Sequence, residues 1–208
     1  MDRQADTISD AAGLRQVYAE PSELVQRKKL DRLDPHCRNF IAHAPFVVLA
    51  TSGADGSVDA SPRGDAPGFV QVVDERTLLI PDRRGNNLLD SMGNILGTGE
   101  VGLLFLVPGI GETLRVNGTA RIVADPALLE AMAVDGKPPS AAIEVTVREA
   151  FLHCAKAMIR SRLWQEDYRV GRETIPTLGK MIADQLKGGK EVAETEAWIE
   201  DGYRTRLY

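Results

Sequence analysis

From Phe46 onward the 208-residue chain abandons helical spacing of its apolar residues and becomes a succession of short β-rich runs divided by turn chemistry. Phe46-Val47-Val48-Leu49-Ala50 leads into the turn Ala54-Asp55-Gly56, and Val58 to Ser61 can return as an antiparallel partner. Phe69 to Val73 and Thr77 to Ile80 flank Asp74-Glu75-Arg76 as a second hairpin. Val101 to Val107, the Pro108-Gly109 break, Leu114 to Val123 and Ala142 to Val147 bring the strands to six or more, mostly antiparallel. Closure into a barrel is the economical way to remove the exposed edges of such a sheet. Leu114 to Val123 alternates at period two, with Arg115, Asn117 and Thr119 on the face opposite Val116. That polar face borders a ligand, a subunit interface or solvent.

Helices are expected around this β core. The first ten residues are polar and expected to fray. One short helix should follow Pro21-Ser22 with Ser22 as its cap, and another should open at Asp34-Pro35 and end at Pro45. A short helix is expected at Ala127 to Ala133, and a longer one at Glu149 to Ile159 with Leu152, Ala155 and Ile159 facing inward. The organisation expected is a helical segment at 1–45, a barrel domain at 46–168, and a helical extension at 169–208 packed on the barrel.

The junction Leu78-Leu79-Ile80-Pro81-Asp82-Arg83-Arg84-Gly85-Asn86-Asn87 carries the chemistry. A strand ending at Pro81 and a helix starting near Asn86 would offer unpaired amides and a helix dipole to an anion. Arg83 and Arg84 add two permanent cations with planar donor forks suited to phosphate oxygens. Gly85 would let the backbone approach closely. In the helix that follows, Leu88, Met92 and Ile95 fall at i, i+4 and i+7, with Leu89 and Leu96 beside them. The other reading is that the two arginines are solvated charges at a tight turn.

A net charge of −5 and an aromatic content of 5% argue against a broad nucleic-acid surface, so any phosphate bound should be a single group met locally. No run approaches the length of a bilayer span, and the polar opening Met1-Asp2-Arg3-Gln4 does not read as a signal peptide. The expected location is cytoplasmic, where Cys37 and Cys154 stay reduced. His36-Cys37 and His153-Cys154 lack the usual C-x-x-C spacing, and no metal site is expected from them.

The ordered set Phe46-Val-Val-Leu-Ala-Thr51, Asp59-Ala-Ser-Pro-Arg-Gly-Asp65, Leu79 to Asn87, Val101-Gly-Leu-Leu-Phe105 and Leu114-Arg-Val-Asn-Gly118 resembles the FMN-binding split-barrel family related to pyridoxamine 5′-phosphate oxidase. Within it, Ser61 to Asp65 and His153 to Trp164 resemble a group with S-P-R-G-D and H-C-x-K-A…R-S-x-L-W motifs. The resemblance spans roughly residues 36–168. It implies a mainly β fold with added helices, a six-stranded antiparallel split barrel, and a homodimer with FMN at the subunit interface. By that resemblance Arg83 and Arg84 hold the FMN phosphate. Ser61, Arg63, Gly64 and Asp65 run beside the flavin and ribityl chain, with Ile80 and Pro81 at the next strand's edge. Thr113 and Arg115 reach the flavin from the partner subunit, and Arg160 and Trp164 either border the flavin or hold the C-terminal helix to the barrel.

The Arg-Leu-x-Pro ending of true pyridoxamine phosphate oxidases is replaced by Gly202-Tyr-Arg-Thr-Arg-Leu-Tyr208, so substrate recognition does not carry over. The expected activity is an FMN-dependent oxidoreductase exchanging a hydride with a small molecule or NAD(P)H, with no catalytic residue assigned. The alternatives are a non-enzymatic flavin- or haem-binding protein and an F420-dependent reductase.

Overall fold

The computed structural model describes residues 7–186 and 191–208, so most of the stretch expected to fray lies outside the described residues. Three short helices come first: α1 (Ala11–Val17), α2 (Glu23–Arg27) and α3 (Pro35–His43). The sequence reading misses α1, which Asp10 caps by accepting from the Gly13 amide. Ser22 stands at the start of α2 but makes no side-chain cap bond. Asp34 does cap α3, accepting from the Cys37 amide with Pro35 in the first turn. The buried side of α3, Cys37 and Ile41, joins the main core.

The strands are β1 (Phe46–Ser52), β2 (Val58–Gly64), β3 (Gln71–Val72), β4 (Thr77–Asp82), β5 (Glu100–Leu106), β6 (Thr113–Val123) and β7 (Ala141–His153). They form one seven-stranded antiparallel sheet in the order β2-β1-β5-β6-β7-β4-β3. The split-barrel class stands, with seven strands in place of six. The seventh is the two-residue β3, short enough to blunt the edge it forms. Pro62 sits in β2 at the opposite edge, where a missing amide donor is tolerated. Phe105, Leu49, Ile80, Leu114 and Ile143 are fully buried between the curved faces, and their removal from water drives the collapse.

The expected helix from Glu149 is instead the second half of β7. Asn117 to Thr113 of β6 pair with Glu149 to His153, and Leu30 bridges Ala150 on the other side. Tertiary pairing outweighs an apolar spacing compatible with either period. Ala150 and Phe151 are buried, whereas Ile159, expected inside, is 69% exposed. Helix remains only in α6 (Lys156–Ser161), which follows α5 (Pro126–Glu130) in the chain. The β6–β7 ladder shifts register between Asn117 and Gly118, leaving Arg148 as the extra residue. A Cβ on Gly118 would stand 2.1 Å from the Thr146 carbonyl oxygen, so only glycine fits there.

Between β4 and β5 lies α4 (Asp90–Thr98), closed by Gly99 in the left-handed region. It buries Met92 and Ile95, while Leu88, Leu89 and Leu96 are exposed. After α6 a single 3₁₀ turn at Arg172–Thr174 leads to α7 (Leu178–Gln185) and α8 (Val192–Thr205), joined by a Thr177–Glu196 hydrogen bond. Among the described residues no helix is long and apolar enough to cross a membrane.

Candidate functional site

The two ends of the sheet meet without backbone pairing, and side chains hold the seam. Arg63, near the end of β2, donates from Nη1 to Asp82 at the end of β4 at 2.6 Å. Arg83, the next residue, donates from Nε to Asp65, just past β2, at 2.7 Å. Arg83 also donates to the Met132 carbonyl at 2.9 Å, and the Tyr208 ring covers its guanidinium at 5.6 Å. The Tyr208 hydroxyl donates to Asp65 at 2.8 Å. Burial would raise the Asp65 carboxyl, but the Ala66 amide, the Tyr208 hydroxyl and Arg83 together hold it below the ordinary carboxylate range.

Beside the seam opens a cleft of about 800 Å³. Its walls are Ser61, Arg63 and Gly64 of β2, Pro81 and Asp82 of β4, the 83–89 loop, and Phe69, Met92, Ser140 and Tyr203. Arg84 lines it, is exposed, and makes no hydrogen bond or ion pair with the described residues. The Nε of Arg63 is buried with no partner, an expensive condition for a charged donor. The unpaired Arg84 guanidinium, on a wall that Arg63 also lines, fits an anion such as a phosphate.

The expected cradle differs from this one in its backbone. β4 runs through Pro81 to Asp82, and α4 begins only at Asp90, with Leu89 ahead of it making no side-chain cap. The residues between the arginines and α4 therefore form a loop, with helix beginning only at Asp90. Gly85 has an ordinary φ, and a Cβ there would meet nothing within 4 Å. The cations of the corner are side chains, Arg63, Arg83 and Arg84.

Of the residues expected at the site, Ser61, Arg63, Gly64, Pro81, Arg83 and Arg84 line this cleft together. Asp65 reaches it only through Arg83, and Ile80 points into the core with no exposure. Thr113 and Arg115 lie on β6 in a separate cluster. There Arg115, Lys28 and Lys29 surround the Phe151 ring at 5.4, 5.7 and 5.2 Å, with the His153 ring 4.7 Å away and tilted by 44°. Desolvation, then Arg115 and Lys28, keep the His153 imidazole below its usual value, and its Nε2 is buried without a partner. Arg160 is exposed on α6, and Trp164 donates from Nε1 to the Ile110 carbonyl at 2.8 Å, tying the segment after α6 to the β5–β6 loop.

The two His–Cys pairs are also apart. Cys37 is buried in α3, where desolvation and Asp34 push its thiol up to about 12, whereas Cys154 is exposed after β7. Tyr203, Tyr208 and Asp82 were not foreseen. Asp82 adjoins the arginines in sequence, but nothing local marks the two tyrosines.

The sequence matches the family described as pyridoxamine 5′-phosphate oxidase over residues 33–154, more than half of the chain. No curated protein matches it. Among solved structures, Group A Streptococcus HupZ is 20% identical over 57% of this chain and 92% of its own, with a TM-score of 0.47. An FMN-binding protein from Syntrophomonas wolfei is 12% identical over 55% of this chain and 82% of its own, with a TM-score of 0.45. An FAD-binding protein from Mycobacterium smegmatis is 18% identical over 60% of this chain and 97% of its own, with a TM-score of 0.41.

Proposed function

This chain belongs to the pyridoxamine 5′-phosphate oxidase family, and we propose that within it the protein is a homodimeric FMN-dependent oxidoreductase acting on a small organic molecule or NAD(P)H. The observation that carries the reading is the cleft beside the seam, where Arg84 stands without a partner among the described residues on a wall that Arg63 also lines. Arg84 would take the phosphate as a charge-assisted pair, while Arg83, committed to Asp65, would supply its remaining Nη2. Phe69, Met92 and Leu89 provide apolar surface in the same cleft. A bound flavin supplies the redox chemistry, and the protein binds it, orients it and limits access to water.

A dimer is supported by what one chain leaves uncovered. Leu88 and Leu89 at the cleft rim are 70% and 61% exposed, and the Thr113–Arg115 cluster lies outside the cleft. A second copy could cover the first and contribute the second.

The test is titration of the purified protein with FMN, read by quenching of flavin fluorescence. Arg84→Ala should weaken binding at least tenfold, the effect of losing one charge-assisted contact, without lowering the melting temperature. Equal affinity in the variant would remove Arg84 from the site. Anaerobic mixing of the FMN-loaded protein with NADH or NADPH should bleach the flavin, whereas no reduction by any donor tried would favour a binding protein. Sedimentation showing only monomer at micromolar concentration would overturn the dimer.

A further inference from the structure

The helices α7 and α8 pack on each other. Thr177, ahead of α7, hydrogen-bonds Glu196 of α8, and the pair touches at Gly179, where a Cβ would stand 3.0 Å from the Glu196 amide nitrogen. Among the described residues α7 buries only Gly179 and α8 only Thr195. Their large apolar side chains, Leu178 and Trp198, stay exposed. A helix pair with so little buried apolar surface opens at a lower cost than the strands of the core.

Two tyrosines bring this pair to the barrel, and they do so in different ways. Tyr208, just beyond the end of α8, is held: its hydroxyl donates to Asp65 at 2.8 Å and its ring covers the Arg83 guanidinium at 5.6 Å. Tyr203, in the last turn of α8, is not. Its ring lines the same cleft as Arg84, Pro81 and Met92 yet is 65% exposed, and its hydroxyl has no hydrogen-bond partner among the described residues. A ring on a cleft wall that stays largely in water has apolar surface left to bury. Tyrosine buries it at a small entropic cost, since only two side-chain torsions become fixed.

We infer that α7 and α8 form a lid on the flavin cleft, anchored at the seam by Tyr208 and closed through Tyr203, which packs on the bound FMN and retains it. The inference rests on the flavin reading above, because an empty cleft gives the Tyr203 ring nothing to close on. FMN enters toward Arg84 with the lid open, and the Tyr203 ring then exchanges water for the cofactor. That contact exists in the closed arrangement alone, so FMN shifts the lid toward closure by the difference. Escape requires Tyr203 to lift first, whereas entry does not. Tyr203 therefore governs release, and Arg84 governs capture. Leu88 and Leu89 at the rim are left for the second copy.

Association and release of FMN by the full-length protein, followed by flavin fluorescence, decide it. Tyr203→Ala should release FMN about tenfold faster with an unchanged association rate. Tyr203→Phe, which keeps the ring, should match the unmodified protein. Hydrogen exchange gives a second readout: α8 amides should exchange more slowly once FMN is bound, and Tyr203→Ala should abolish that slowing. Unchanged release in Tyr203→Ala, or α8 exchange indifferent to FMN in the unmodified protein, would overturn the lid. So would a loss of affinity carried by association, which would make Tyr203 part of the entrance. Conversion of Tyr203→Ala to a monomer in sedimentation would give the ring to the subunit contact and overturn the lid as well. If the unmodified protein binds no FMN, the parent reading fails and this one with it. FMN binding with release indifferent to Tyr203→Ala sinks this one alone.

Discussion

Arg83 and Arg84 are consecutive, yet they belong to regions that use charge in opposite ways. At the seam between β2 and β4, Arg83 and Arg63 are each about four-fifths or more buried and each faces its own carboxylate. Along the cleft wall, Arg84 is exposed and pairs with no carboxylate among the described residues. The seam therefore replaces backbone hydrogen bonds that the open sheet lacks, and its charges are spent on the fold. The wall keeps its charges available. A pair of arginines that look equivalent in sequence divides into one that holds the barrel together and one that can hold a ligand.

The strongest way to break this contrast is Asp65→Ala. Asp65 is 3% and Arg83 16% exposed in their side chains, so removing the carboxylate strands a buried guanidinium at a cost of about 3 kcal/mol. For a chain of this size that lowers the melting temperature by about 6–12 °C, whereas Arg84→Ala should leave it unmoved. Similar melting temperatures for the two variants would mean that the seam is no more structural than the wall.

Acid should expose the same difference. The Asp65 carboxyl titrates below its unfolded value, so its contribution is fully present above about pH 4 and disappears as pH falls through the lower folded value. The stability gap between the unmodified protein and Asp65→Asn should then be constant near neutrality and shrink on acidification. Urea unfolding at a series of pH values measures it, and a gap that persists undiminished to about pH 3 would contradict the shift.

Sequence reading found these regions unequally, for physical reasons. The strands of the first half were legible because period-two alternation and turn residues such as Asp55-Gly56 specify them locally. The second half of β7 was not, because Leu152, Ala155 and Ile159 suit a helix equally well and only the pairing with β6 decides. α4 starts later than the expected Asn86 because Leu88 and Leu89 extend its apolar pattern upstream without a helix cap. At the site, the arginine pair and Asp65 were visible as motifs, but the division of labour between the arginines depends on carboxylates brought across the seam. Tyr208 enters from the far end of the chain, and no local pattern could announce it.

Tyr208→Phe sharpens the boundary between the regions. It removes the hydroxyl from Asp65 but leaves the ring over Arg83, so the loss should be about 1 kcal/mol, smaller than that of Asp65→Ala. Because the ring remains, the FMN affinity should hold. A loss of stability as large as that of Asp65→Ala would make the tyrosine, not the arginine, the main partner of the carboxylate.

The smallest effect is expected at Gly85, and it separates side-chain from backbone recognition. A Cβ there meets nothing within 4 Å and the backbone has an ordinary φ, so Gly85→Ala should change stability by no more than about 0.5 kcal/mol. Its FMN affinity should also match the unmodified protein, because the added methyl group meets open space. A marked loss of affinity with unchanged stability would mean that the loop backbone approaches the phosphate closely, and that the wall binds through its amides as well as its guanidinium.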